Sequence, residues 1–128
     1  MGRGVAAGKA RTMTDVEAAW MGAMVEGEGH YFLHPPDSKS RNVGLRIGVA
    51  VTNTDPEIMS ACLRLTQTGK VDYKGFANSR IATARKPCYR WAIQAWTDTL
   101  NVLRQLRPYS MKAQAALNEI GAFYGAPV

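Results

Sequence analysis

The chain is poor in cysteine and has no long hydrophobic run. Cys62 and Cys88 are the only cysteines in 128 residues, which excludes a disulfide framework and argues against a cysteine-rich zinc site. No apolar stretch approaches the roughly 20 residues of a membrane-spanning helix, and residues 1–13 lack the apolar core of a signal peptide. The sequence therefore predicts an intracellular protein that is not secreted and has no membrane partner, with reduced cysteines that serve in packing.

Acidic residues are scarce in the middle of the chain. Ten Asp and Glu stand against 16 Lys and Arg, which gives a formal net charge of +6. Residues 39–90 hold ten basic and three acidic side chains, whereas residues 14–38 hold acidic side chains and no Lys or Arg. A basic central segment suits binding to a polyanion such as nucleic acid. A basic surface that is merely solvated would give the same charge counts.

The length and the N-terminal composition predict one domain with a short extension. A chain of 128 residues, 46% of them hydrophobic, is long enough for one sizeable core and too short for two. Residues 1–13 are rich in Gly and Ala and have no sustained period, so we expect a flexible basic N-terminal arm. That arm either contacts phosphate or is an expression remnant. Residues 14–128 are expected to form a single domain.

Capping residues and periodicity predict four helices and four strands. The helix starts are marked by Thr14 with Glu17, Asp55 before Pro56, Thr97 with Asp98, and Ser110. Hydrophobic alternation predicts strands at 30–34, 45–52, 70–74 and 89–94. The resulting order, αββαββαα, predicts an α+β fold in which helices cover one face of an antiparallel four-stranded sheet.

The other face of this sheet is predicted to stay open and to bind nucleic acid. A β-ribbon fits the major groove, where Arg and Lys suit guanine or phosphate and Gln suits adenine. The open-face residues expected to contact DNA are His30, His34, Arg46, Lys70, Asp72, Lys74, Arg90 and Gln94. Loop contacts to phosphate are expected from Arg80, Arg85 and Lys86, for which a solvated basic loop is the alternative.

Four ordered segments resemble one known family. Residues 21–29 (MGAMVEGEG) resemble the nonapeptide of the LAGLIDADG homing endonucleases, and residues 51–57 (VTNTDPE) resemble the exit from the second strand of that family. Tyr89–Trp91 is similar to the last strand, and Leu106–Tyr109, followed by Lys112 and Gln114, is similar to the C-terminal helical signature. The resemblance covers residues 14 to about 123 and implies the homing-endonuclease fold, with a saddle-shaped sheet.

The resemblance implies a site-specific double-strand DNA endonuclease that serves the mobility of the intron or other element encoding it. Because the chain carries a single motif, it implies a homodimer on a near-palindromic site. Gly22 and Ala23 are small enough for two such helices to pack closely. The residues expected at this dimer interface are Met21, Gly22, Ala23, Val25 and Glu26.

The same resemblance assigns the catalytic residues. Glu28 is predicted to end a helix, where the macrodipole disfavours a carboxylate unless a cation offsets it. In the family this residue binds a divalent metal together with the preceding backbone carbonyl, here that of Gly27. Mg²⁺ is the expected cofactor, with Mn²⁺ substituting and Ca²⁺ binding without supporting cleavage. Asn53 is expected to order water, although a plain turn residue fits equally, and Lys112 is expected to stabilise charge.

Two further functions fit the same fold. One is a maturase that binds the RNA of its own intron and has lost cleavage, and the other is a non-catalytic DNA-binding regulator without a metal. The retained Glu28 favours the endonuclease, because a chain released from cleavage has no need of an acid facing phosphate.

Overall fold

Helices and strands follow one another in the predicted order. The computed structural model describes residues 8–36, 44–76 and 86–128. Its elements are α1 (Asp15–Glu28), β1 (Gly29–His34), β2 (Arg46–Asn53), α2 (Pro56–Thr66), β3 (Lys70–Phe76), β4 (Pro87–Ile93), α3 (Trp96–Leu106) and α4 (Met111–Tyr124). The αββαββαα prediction is confirmed. In the described part of the chain, no helix has the length and apolar character needed to cross a bilayer.

The four strands form one antiparallel sheet in the order β1-β2-β4-β3. Its two central strands are β2 and β4, which pair Ala50 with Ala92 and Val51 with Trp91. β1 lies on the outer side of β2, and β3 lies on the outer side of β4. Since successive side chains alternate between faces, each strand sends one set of residues into the core and the other set to the open face.

The core lies between one face of the sheet and the helices. Ile47, Val49 and Val51 of β2 and Trp91 and Ile93 of β4 are buried there. The helices contribute an apolar set made of Met21, Val25, Met59, Cys62, Val102, Leu103, Leu106, Leu117 and Ile120. The alternation predicted from the sequence is therefore confirmed for both central strands.

Three of the four predicted helix starts are confirmed by their hydrogen bonds. The Oγ1 atom of Thr14 accepts from the Glu17 amide at 3.2 Å, and Glu17 accepts from the Thr14 amide at 2.9 Å. Asp55 accepts from the Glu57 amide at 2.9 Å, and Ser110 accepts from the Ala113 amide at 3.0 Å. These bonds satisfy amides that a helix N-terminus leaves without partners.

The capping of α3 differs from the prediction. Its N-cap is Ala95, which makes no side-chain capping bond, and Asp98 points to another segment. One carboxylate oxygen of Asp98 accepts from the amides of Lys9 at 2.6 Å and Ala10 at 2.9 Å, and the other accepts from the Thr68 hydroxyl at 2.7 Å. The helix start predicted at Thr97-Asp98 is correct to within one residue, because α3 begins at Trp96. What differs is the role of Asp98, whose carboxylate binds the N-terminal segment.

The prediction of a flexible arm over residues 1–13 needs correction for residues 8–13. Besides the bonds to Asp98, the amide of Arg11 donates to the Thr66 carbonyl at 2.8 Å, and the amide of Met13 donates to Gln105 at 2.7 Å. Met13 is buried in the core. This segment is therefore part of the domain, while residues 1–7 lie outside the described residues.

The two cysteines have different environments, and both are free thiols. Cys62 is fully buried in α2, and burial raises the pKa of its thiol to about 12. Such a thiol stays protonated and unreactive at neutral pH. Cys88 is partly exposed on β4. The predicted packing role is confirmed for Cys62.

Replacing Asp98 with Asn is expected to lower the free energy of unfolding by about 2 kcal/mol at neutral pH, because an amide nitrogen then faces donors that the carboxylate satisfied. Burial raises the pKa of Asp98, but hydrogen bonds from Thr68, Ala10 and Lys9 outweigh this and bring it below 3.8. The stabilisation is therefore present above the unfolded-state pKa and is lost as the pH falls through the lowered folded-state pKa.

Urea denaturation at neutral and acid pH measures this difference. Asp55→Asn is the matched control, because Asn caps a helix as well as Asp does. An Asp98→Asn variant as stable as the original protein at pH 7 would contradict the structural role assigned to Asp98.

Candidate functional site

The open face of the sheet carries the predicted polar residues. Residues that do not enter the core alternate with those that do on every strand. The open-face residues are His30, Phe32 and His34 of β1, Arg46, Gly48, Ala50 and Thr52 of β2, Lys70, Asp72 and Lys74 of β3, and Arg90 and Ala92 of β4, followed by Gln94. All eight sheet residues predicted to contact DNA thus share one surface.

This face is concave, and its floor is made of small residues. Gly48, Ala50 and Ala92 lie on the two central strands, and Gly48 and Ala50 are themselves buried. A concavity of about 580 Å³ brings together five of the predicted contacts, namely His30, His34, Arg46, Arg90 and Gln94. Lys70 and Asp72 line a neighbouring concavity, and Gln94 and Trp96 line both.

Arg90 lies at the centre of this face. Its strand register places it opposite Thr52 on β2 and opposite Asp72 on β3. The Nε atom of Arg90 is buried and has no hydrogen-bond partner within the described residues, and these residues give Arg90 no salt bridge. A buried donor without a partner is costly, so this guanidinium is suited to an incoming anion.

The carboxylate of Glu28 lies at the junction of α1 and β1. Glu28 is the last residue of α1, is exposed, and is followed directly by the first residue of β1. At Gly29 a Cβ atom would lie 2.7 Å from the Ala50 carbonyl oxygen and 2.8 Å from the Cα atom of Val25. Only glycine permits this approach, and it fixes Glu28 one residue before the sheet.

Lys112 reaches the same junction from α4. Its Nζ atom donates a hydrogen bond to the carbonyl oxygen of Gly29 at 2.7 Å. The structure therefore places the ammonium group at the backbone of the residue that follows Glu28. Two of the three predicted catalytic side chains thus converge on one point, although they are 84 positions apart in the sequence.

Glu26 connects α1 to the start of α4. One oxygen of its carboxylate accepts from the Ser110 hydroxyl at 2.7 Å and from the Lys112 amide at 2.5 Å. These two hydrogen bonds, the amide first, lower the pKa of Glu26. The side chain predicted at a dimer interface is thus bound within its own chain, where it supports the helix that carries Lys112.

The lowered pKa of His30 reflects burial and the positive charges near this junction. Burial lowers the pKa of its imidazole, and the nearby charges of Arg90 and Lys112 lower it further. The imidazole is therefore neutral at pH 7. Two fixed positive charges close to the start of β1 favour a bound anion there.

The third predicted catalytic side chain, Asn53, ends β2. Its Oδ1 atom accepts from the Asp55 amide at 2.9 Å, which forms a turn before α2. This contact agrees with the turn-residue alternative, and the ordering of water by Asn53 stays a prediction.

The donors present at the junction fit a divalent cation only in part. The Glu28 carboxylate and the Gly27 carbonyl are oxygen ligands, which Mg²⁺ and Ca²⁺ prefer. No group of three or more His, Cys, Asp or Glu side chains that could hold a metal occurs among the described residues. One chain therefore offers a partial metal site, which further ligands from a second chain or from a phosphate would have to complete.

The predicted dimer interface needs correction for three residues. Met21 and Val25 are fully buried in the core of their own chain. Gly22 is buried as well, and a Cβ atom there would lie 2.7 Å from the Cβ atom of Tyr109. These residues face the interior because this side of α1 packs into the core of its own chain, with Gly22 against Tyr109 of the α3–α4 turn. Ala23 alone among the five predicted residues is exposed.

The remaining predicted contacts, Arg80, Arg85 and Lys86, lie between β3 and β4 in the sequence. Lys86 is exposed just before β4, whereas Arg80 and Arg85 lie outside the described residues.

Phe32 and Trp96 also line the concavity, and the sequence does not predict either as a functional residue, since large aromatic residues predict core rather than surface. The signal for Phe32 is present in the alternation, which places it on the same face as His30 and His34.

Comparisons with solved structures agree with this geometry. The chain is similar to the homing endonuclease I-CvuI in complex with a DNA target, at a TM-score of 0.56 and 18% identity over 80% of this chain and 63% of that chain. It is similar to the group I intron-encoded homing endonuclease I-CeuI complexed with DNA, at 0.59 and 13% identity over 90% and 55%. It is also similar to the meganuclease I-SmaMI bound to DNA, at 0.55 and 18% identity over 84% and 43%.

The match is one of structure. The chain spans less than two thirds of the length of each of these three proteins. No protein-family model and no curated protein matches the sequence. The three structural matches confirm the predicted fold, so the chain has the fold of the LAGLIDADG homing endonucleases.

Proposed function

We propose that this chain is a site-specific double-strand DNA endonuclease that acts as a homodimer on a near-palindromic site with a divalent metal. The observation that carries the proposal is the position of Glu28. It is an exposed carboxylate at the end of α1, on the border of an open sheet face, and the Lys112 ammonium group binds the carbonyl of the residue that follows it. A nuclease needs an acid of this kind facing phosphate, and a protein that only binds DNA does not.

Duplex DNA is the proposed partner of the open face. Its basic residues line a concavity on the sheet, and a β-ribbon can enter the major groove. The unpaired guanidinium of Arg90 and the charges near His30 suit phosphate or guanine. The solved structures with the same fold include three DNA complexes, which supports the same partner here.

The proposed metal site uses the oxygen donors at the end of α1. The Glu28 carboxylate and the Gly27 carbonyl would hold Mg²⁺, with Mn²⁺ substituting and Ca²⁺ binding without supporting cleavage. When bound, Mg²⁺ supplies positive charge that stabilises the transition state of phosphodiester hydrolysis. Lys112 contributes a second positive charge from the Gly29 carbonyl, and Asn53 is proposed to hold water near the scissile phosphate.

A second copy is proposed to cover the free face of α1. On one side of this helix Val16, Ala23 and Gly27 are exposed, Val16 to 81%, whereas Trp20 and Met24 on the same side are partly buried against the core. The opposite side of α1 is buried in its own core. A helix that is apolar on both sides needs a partner to cover the side that its own core leaves exposed. A two-fold dimer supplies that partner. Such a dimer would also provide the second Glu28 that the partial metal site lacks.

Replacing Glu28 with Gln is expected to lower DNA cleavage by about a hundredfold or more and to leave DNA binding largely intact, because the change removes a metal ligand and keeps the side-chain shape. Cleavage selection from a pool of randomised DNA duplexes, in Mg²⁺ and in Ca²⁺, measures this. Glu57→Gln, which changes an exposed carboxylate on α2, is the matched control.

Each outcome of that selection decides between functions. A near-palindromic site that the original protein cuts only in Mg²⁺ would support the proposal. A site that is bound but never cut would favour a non-catalytic regulator. Loss of binding together with cleavage in Glu28→Gln would assign Glu28 a structural role instead.

Replacing Lys70 with Ala is expected to weaken duplex binding several-fold and to reduce the slope of log affinity against log salt. The slope should fall by about one for each Lys70 in the complex, because a phosphate contact that releases a counterion is lost. Fluorescence anisotropy at several salt concentrations measures both quantities. Arg64→Ala removes the same charge from α2, away from the open face, and should leave the slope unchanged. Equal effects of the two variants would argue against this DNA-binding surface.

Replacing Ala23 with Glu is expected to convert the dimer into monomers, because it places two charges in a desolvated helix contact. Light scattering coupled to gel filtration should give a mass near twice the 14.0 kDa of one chain for the original protein and near one chain for the variant. Ala115→Glu, at an exposed position of α4, is the control. A variant that remains dimeric would place the interface elsewhere, and a monomeric original protein would refute the dimer.

A further inference from the structure

Phe32 is a large aromatic residue that the core does not use. Its neighbours in sequence, Tyr31 and Leu33, pack against the core cluster, whereas Phe32 is not part of that cluster. Phe32 lies on the open face and is half-buried. Packing in the core between the sheet and the helices therefore does not account for its presence.

The position of the Phe32 ring is well defined. The ring lies directly over Gly48 on the neighbouring strand, where a Cβ atom would come within 1.9 Å of Cζ. Any larger residue at position 48 would displace the ring. The rings of His30 and His34 flank it, with centroids 6.5 Å and 5.4 Å away. The ring is thus held by one glycine below and by two imidazoles along the strand.

The surroundings of the ring are mostly polar. It lines the same concavity as Arg46, Arg90 and Gln94. These polar side chains suit the hydrogen-bonding groups of base edges, with Gln94 suited to adenine. An apolar ring among them needs an apolar group on the ligand. In the major groove that group is the C5-methyl of thymine, which makes favourable contacts with Phe.

We propose that Phe32 is a specificity-determining residue that recognises the methyl group of a thymine in the major groove. The inference rests on the proposed function, because it requires duplex DNA on the open face. It adds an assignment of base preference to a residue for which sequence analysis predicts no role. Gln94, in the same concavity, would favour the adenine of an A·T pair.

The test compares thymine with uracil, which differ only in this methyl group. Duplexes bound by the original protein and by Phe32→Ala are first selected from a randomised pool. Each thymine in the recovered site is then replaced by deoxyuridine, one half-site position at a time, and binding is measured by anisotropy. Phe32→Leu serves as the conservative variant, and Arg64→Ala, on α2 and away from the open face, serves as the control. Circular dichroism checks folding, which Phe32→Ala should retain because the ring lies outside the core.

One thymine position is expected to lose about fourfold in affinity for the original protein when it becomes deoxyuridine, as expected for one buried methyl group. Phe32→Ala should bind the two duplexes equally, Phe32→Leu should keep part of the difference, and Arg64→Ala should keep all of it. The same deoxyuridine effect in Phe32→Ala, or no effect at any position, would overturn the inference and leave DNA binding intact. Failure of the original protein to bind any duplex would overturn the proposed function as well.

Discussion

The passage of α1 into β1 without a loop is the constraint on which the candidate site depends. Gly29 is both the end of the helix and the first strand residue, and its lack of a side chain lets β1 lie close to Val25 and Ala50. Glu28 is therefore attached to the edge of the open face by a single peptide bond. The Gly29 carbonyl then receives Lys112, and His30 follows on the open face. One close backbone contact thus brings together the Glu28 carboxylate, the Lys112 ammonium group and the open face of the sheet.

The hydrogen bonds of the carboxylates distinguish Glu28 from Glu26 and Asp98. Glu26 is bound by Ser110 and the Lys112 amide, and Asp98 is bound by Thr68 and two amides of the N-terminal segment. Within the described residues, Glu28 has neither a hydrogen bond nor a salt bridge. It is located at a helix C-terminus, where the macrodipole disfavours negative charge. A carboxylate held in such a position without a partner is consistent with a function that supplies a cation.

The sequence predicts the features that arise from local interactions. The capping box of Thr14 and the alternation along β2 depend on residues a few positions apart, and the structure confirms both. The contacts of Asp98 do not follow from local sequence, because its partners Lys9 and Ala10 lie almost 90 positions away. The position of Met21, predicted at a dimer interface but buried in its own chain, likewise depends on tertiary packing. Helical periodicity identifies apolar stripes on α1, but it does not say which stripe packs against the chain's own sheet.

The candidate site divides in the same way. Alternation predicts which residues share the open face, so five predicted contacts meet in one concavity. It gives no sign that Phe32 lies over Gly48, because that contact joins two strands across a loop. The role of Lys112 near this site was predicted only through the family resemblance, and its hydrogen bond to Gly29 joins two distant parts of the chain. Long-range pairings of this kind are set by the packing of α4 on the sheet, which no local pattern encodes.

The sizes of the α1 side chains suggest why the proposed dimer would bring two active sites together. On the free face, Val16 and Trp20 occupy the N-terminal half of the helix, and Ala23 and Gly27 occupy the C-terminal half. Two helices related by a two-fold axis approach most closely where their side chains are smallest. In the proposed dimer that point lies one turn from Glu28. Two carboxylates would then lie close together, where their repulsion is relieved by divalent cations. The same small residues would therefore determine both the fit of the two subunits and the spacing of the two cuts.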